Sequence, residues 1–157
     1  MLMRLFHNLK LRLSPLRIKD PDFGPMLFMF IPNAPDQSYW EGEWTFPKTD
    51  SKISIGLPGD EHGPLPAARQ FYLNLPGRFE GIVSAARPEL EKVFSKWQQQ
   101  DLPPDIFTVI TLTGFGLESP KEQPLRWDIS FETLGETWLS ITIPFVGDTA
   151  QPAIVDT

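Results

Sequence analysis

The residues of this chain best suited to chemistry stand together at Asp60, Glu61 and His62, inside the stretch LPGDEHGPLP. An imidazole beside two carboxylates could move a proton or grip a cation, and a loop between a strand-like and a helix-like run is a common place for such groups. Consecutive side chains cannot all converge on one ion without an unusual backbone, however, and the only other histidine, His7, stands at no ligand spacing from His62. Nucleophilic catalysis would need a serine or threonine near His62 with an orienting carboxylate, and the G-x-S-x-G elbow is absent. Glu41 and Glu43 point to one face of a strand, but that is the face alternation gives to water, so they read as solubilising charges. Gly114-Phe115-Gly116 lacks the remaining glycine and the following helix of a dinucleotide-binding turn, and reads instead as a bulge or bend in a strand. The loop over 58–66 is thus a candidate ligand loop carried by Asp60, Glu61 and His62. No catalytic, cofactor-binding or metal-ligating residue is assigned, and the balance leans against an enzyme.

The elements that must position these groups are clearest in the stretch from Arg126 to Asp148. With Gly135 taking positive φ at the end of a three-residue loop, Thr133-Leu134-Gly135, it reads as a β-hairpin with Glu132 opposite Glu136 and Ile129 opposite Leu139. Trp127, Ile129, Phe131, Leu139, Ile141 and Ile143 then share an apolar face, while Asp128, Ser130, Glu132, Ser140 and Thr142 share a polar one. A slip of one residue would send every apolar group to water. Pro144 should end the second strand or leave it on an edge. Trp138 alone breaks the polar face. We expect it to be covered by another part of the chain or, failing that, to anchor a partner.

Before the helical middle, the runs MLFMFI, YWEGEWTF and ISIGL read as a three-stranded meander over about 26–57. The middle, about 66–100, reads as two or three helices. Ala67, Ala68, Phe71, Tyr72 and Leu75 fall on one face up to Pro76-Gly77, Arg78 to Ala86 could form a second piece, and Leu90, Val93, Phe94 and Trp97 follow Pro88 on the core face of a third. A second three-strand segment, about 105–146, closes the chain. The expected fold is α+β, with two mainly antiparallel segments flanking the helices. Residues 20–148 form one domain in this reading, 1–19 a basic amphipathic segment that packs on the domain or frays, and 149–157 a flexible tail.

At 157 residues with 41% hydrophobic side chains, the chain can bury a core without covalent staples. It has no cysteine, which excludes disulfides, thiolate metal sites and a cysteine nucleophile and fits a reducing cytoplasm. The net charge of −6 disfavours nucleic acid as a partner and favours a basic protein. The charge is uneven: Arg4, Lys10, Arg12, Arg17 and Lys19 all precede the first acid, Asp20. Arg4, His7, Lys10 and Arg12 interrupt the apolar run that a secretory signal would need. Contact of this segment with a membrane is the lesser expectation.

The stretches DPDFGPMLF, YWEGEW and ISIGLPGD contain Asp20, Phe23, Gly24, Leu27, Trp40, Gly42, Ile53, Ile55 and Gly59. This pattern resembles a loose set of uncharacterised bacterial domains with an Asp-x-x-Phe-Gly opening, a Trp-x-Gly and a short Ile-x-Ile-x-x-x-Gly strand. Some of these look like immunity proteins of contact-dependent or polymorphic toxin systems. The resemblance implies an interaction protein and supplies no catalytic residue. The expected function is a non-catalytic protein-interaction domain, an immunity protein by that resemblance. The alternatives are a ligand-binding protein or hydrolase using the 58–66 loop, and a structural subunit of a larger assembly.

Overall fold

The computed structural model describes residues 2–157, apart from the side chains at positions 2 and 11–13. The N-terminal helix α1 (Leu2–Leu13) is followed by β1 (Arg17–Asp20), β2 (Gly24–Met29), β3 (Tyr39–Phe46), β4 (Ser51–Asp60) and the short β5 (Gly63–Pro64). One long helix, α2 (Pro66–Val93), comes next and continues as a wider π turn over Phe94–Gln98. The chain then forms β6 (Ile110–Leu117), β7 (Arg126–Thr133), β8 (Ser140–Val146), β9 (Thr149–Ala150) and β10 (Ile154–Asp156). The strands make a single sheet in the order β1-β2-β3-β4-β6-β7-β8-β10, with β5 on β4 and β9 on β8. Neighbours are antiparallel except β4 and β6, the strands that α2 connects, which run parallel.

The expected α+β class is observed. So is alternation of the strands: Trp40, Phe46, Ile53, Ile55, Leu57, Ile110, Leu112, Trp127, Ile129, Phe131, Ile141, Ile143 and Phe145 are all buried. They pack against Ala68, Phe71, Tyr72, Leu75, Phe79, Ile82, Ala86, Leu90 and Val93 of α2. That second set explains why there is one helix here rather than two or three. Its spacing keeps the 3.6-residue period straight through Pro76 and Pro88, both of which stand off the buried stripe. Each internal proline costs a helix about 3 kcal/mol. Burying one large apolar side chain returns about 2 kcal/mol, and the stripe holds several on each side of each proline.

The terminal hairpin keeps its predicted faces and changes its register. Ile129 pairs with Ile143, not Leu139, and Trp127 with Phe145, a shift of four residues from the expected pairing. An even shift preserves which side chains face the core, so alternation cannot detect it. Gly135 takes φ +105, as expected, within a longer loop that runs to Leu139. Strand β8 passes through Pro144 because that residue sits between the two short outer partners. Its carbonyl accepts from Gln151 N–H, so its missing N–H faces the same outer side, in the break between β9 and β10. Those outer strands correct the expected flexible tail over 149–157: Val155 pairs with Ile141, and Ala150 with Phe145. The first meander also gains an outer strand, β1, from the segment expected to pack on the domain or fray.

Several positions that carried the resemblance have structural tasks. The Asp20 carboxylate accepts from the N–H groups of Asp22 and Phe23, closing the β1–β2 turn, and binds the Arg69 guanidinium of α2. Phe23 is buried edge-on against Trp44 and Tyr72. Gly59 lies so close to β5 that a Cβ there would stand 2.4 Å from the Gly63 carbonyl oxygen.

Candidate interaction surface

The loop expected to carry ligand chemistry is a tight turn between β4 and β5, with Asp60 paired to Gly63. Asp60 Oδ1 accepts from His62 N–H across the turn, Glu61 Oε2 pairs with His7 Nε2 of α1, and Glu61 Oε1 lies 3.9 Å from Nε2 of His62, whose side chain is 85% exposed. Indole Nε1–H of Trp40 donates to the Asp60 carbonyl and pins the turn from below. Glu61 thus stands between the two histidines, while the Asp60 carboxylate is held by the backbone of the turn. Among the described residues no group of three or more histidine and carboxylate side chains is placed to hold a metal ion.

Glu41 and Glu43 lie exposed on the face of the sheet that α2 leaves bare, with Lys52 and Ser54 of β4 beside them. The two glycines of β6 serve the seam where the meanders meet. A Cβ on Gly114 would stand 2.9 Å from the Ser54 carbonyl oxygen across the parallel pair, and a Cβ on Gly116 would stand 2.7 Å from the Asp128 carboxylate. The bulge anticipated here is present, as a register shift between Leu112 and Gly114.

Two groups at this seam were not singled out from the sequence. Tyr72 reaches up from α2, accepts from Gly56 N–H at 3.2 Å and directs its one hydroxyl proton at the carbonyls of Gly56 and Phe115, 2.9 and 3.0 Å away. It fills the place of ladder bonds between β4 and β6, whose direct pairing is confined to Ser54 and Gly114. Burial pushes its pKa up; the Gly56 hydrogen bond opposes that and the Asp128 charge adds to it. Asp128, on the bare face, is raised by burial and by Glu118 nearby, against a lowering hydrogen bond from Gly116. Perturbed groups often mark active sites. Here the Tyr72 shift comes from the way the two halves are stitched together, with its hydroxyl already engaged with backbone, and the Asp128 shift comes from its place between β6 and β7 of the second half. The sequence signal for the seam was the glycine spacing over 114–116 facing Gly56, legible only once the strand order is known.

The loop over 133–139 presents a different surface. Thr133 N–H donates to the Leu139 carbonyl, while Thr133 Oγ1 donates to the Thr137 carbonyl and accepts from Leu139 N–H. Leu134 N–H donates to the Val109 carbonyl, and Gln98 Nε2 at the end of α2 reaches the Thr137 carbonyl. The backbone is held from three sides, yet Leu134 remains 52% exposed and Trp138 50% exposed. The expectation that Trp138 would be covered by its own chain fails because the four-residue shift moves it off the strand and into this loop. Trp97 is a second correction. It was placed on the core face of its helix, but in the wider π turn each successive residue advances less around the axis, so the inward position passes from Trp97 to Gln98. Trp97 is 42% exposed, with the Lys96 ammonium over its ring. The Gln98–Thr137 bond brings the two tryptophan-bearing segments to one end of the molecule, where Glu136, Asp101 and Asp105 are also exposed.

No helix among the described residues is long and apolar enough to cross a membrane. No protein-family model matches the chain, and no curated protein and no solved structure is significantly similar to it.

Proposed function

We propose that this chain is a non-catalytic, cytoplasmic protein-interaction domain that engages its partner through the loop over 133–139 and the adjoining end of α2. The observation that carries this reading is the pairing of a hydrogen-bonded loop frame with half-exposed Leu134 and Trp138. Exposed tryptophan on a fixed backbone loses little conformational entropy on docking, which is what makes it an effective anchor. Acidic residues around the anchors, and nine basic against twenty acidic residues over 20–157, favour a basic partner. By its resemblance to immunity proteins, the proposed partner is a basic toxin domain, which the chain would neutralise by covering it.

The test is to co-express the chain with the product of the neighbouring gene and follow growth and complex formation. Protection that is lost in Trp138→Ala and Leu134→Ala, with unchanged melting temperature, is the expected result. Full protection by both variants would move the interface elsewhere. Failure of the unaltered chain to protect or to bind would remove the immunity role.

A further inference from the structure

The described side chains of α1, at positions 3–10 of a twelve-residue helix, are mounted inside out. A helix at a protein surface ordinarily turns its apolar stripe to the core and its charges to water. In α1 it is the polar side that faces the domain. His7 pairs with Glu61, and Arg4, His7 and Asn8 line a cleft whose other wall is Phe28, Phe30, Pro35, Asp60 and Glu61. Leu5, Phe6 and Leu9, one face by their i, i+1, i+4 spacing, are 67%, 63% and 50% exposed, and Met3 is 87% exposed. None of the four belongs to the buried core cluster, and a helix of this length gains little stability by itself in water.

What surrounds that stripe says what fits it. Lys10 on the helix and Arg17 and Lys19 on β1, the outermost strand, are exposed, and residues 1–19 hold five basic side chains and no acidic one. Apolar side chains projecting from a basic helix match the boundary of an anionic bilayer, where the stripe enters the acyl region and the cations meet phosphate and carboxylate headgroups. Pairing of two α1 helices through their stripes would instead bring two such basic segments together without a counter-charge. We propose that α1 lies along the surface of an anionic membrane, with β1 adding charge at the same edge, and holds the acidic domain beside the bilayer with the loop over 133–139 free for its protein partner. From the sequence such contact was the lesser expectation, because amphipathicity does not reveal which side of a helix the domain will occupy.

Co-sedimentation of the intact chain with phosphatidylcholine vesicles, with and without phosphatidylserine, tests this. Binding should require phosphatidylserine, weaken with added salt, and fall about thirtyfold in Lys10→Gln/Arg17→Gln, at about fivefold per charge. Leu5→Ser/Phe6→Ser/Leu9→Ser should abolish it without changing the melting temperature, because the core does not include these residues. Trp138→Ala should bind vesicles normally, which separates this proposal from the partner surface. Equal binding to both vesicle types, no binding to either, or binding that survives the triple serine variant would overturn the proposal. So would a lipid-independent dimer that the triple variant dissociates, which would assign the stripe to a second copy of the chain.

Discussion

Helices α1 and α2 are both amphipathic by sequence, and they use that property in opposite ways. In α2 every buried residue belongs to one continuous stripe set against the sheet, and the stripe holds the helix together across two prolines. In α1 the described apolar residues Met3, Leu5, Phe6 and Leu9 look outward, and His7 makes an ion pair with Glu61 of the domain. Amphipathicity therefore specifies that a helix has two faces, and the partner available to each face decides which is covered. For α2 the partner is the sheet formed by the same chain. For α1 the domain offers a shallow cleft in which Asp60 and Glu61 stand beside Phe28, Phe30 and Pro35.

The sharpest way to break this comparison is to delete one aromatic ring from each helix. Phe79, 6% exposed and packed on Phe46 and Phe107, should cost about 3–5 kcal/mol as Phe79→Ala, read as a fall in the denaturation midpoint. Phe6→Ala should stay within about 0.5 kcal/mol of the parent chain. A comparable loss at Phe6 would mean that α1 is part of the core after all. A second test concerns how α2 holds the two meanders together. Tyr72→Phe keeps the ring and strands the backbone groups of Gly56 and Phe115, which should cost about 1–3 kcal/mol by chemical denaturation. Hydrogen exchange at Gly56 should quicken in the same variant. An unchanged midpoint would show that the β4–β6 seam does not depend on the hydroxyl.

The smallest expected effect lies on the bare side of that seam. The Asp128 carboxyl titrates above its ordinary value of 3.8 in the folded chain, so the folded state holds its proton more tightly than the unfolded state does. Stability from this source is complete below the unfolded value and is lost as pH rises through the folded one. Asp128→Asn cannot ionise and should therefore melt slightly higher than the parent at neutral pH, with the difference closing as the pH is taken below 3.8. A difference that instead widens on acidification would contradict the sign of the shift.

Much of the frame was legible from short-range pattern. Alternation from Trp127 to Phe131 and from Ile53 to Leu57 identified core faces, and Gly135 announced its positive φ. What failed did so for identifiable reasons. The hairpin register slid by an even number of residues, which leaves every face unchanged while moving Trp138 from strand to loop. Pro76 and Pro88 looked like helix ends because their cost is local, whereas the burial that outweighs it is supplied by strands distant in sequence. Asp60, Glu61 and His62 are consecutive, but the approach of His7 to Glu61 comes from α1, more than fifty residues earlier, and spacing could not show it.

The amino-acid sequence by itself determined the class of the fold, the two faces of each strand and helix, and the separation of a basic start from an acidic body. Those properties depend on neighbours within a few positions, where backbone geometry is regular. Only the tertiary structure decided that the meanders meet in parallel at β4 and β6, that residues 149–157 complete the sheet, that Trp97 and Trp138 share one exposed end, and that α1 turns its apolar side away. Each of these depends on which surface meets which across the folded chain, and side-chain periodicity carries no information about that.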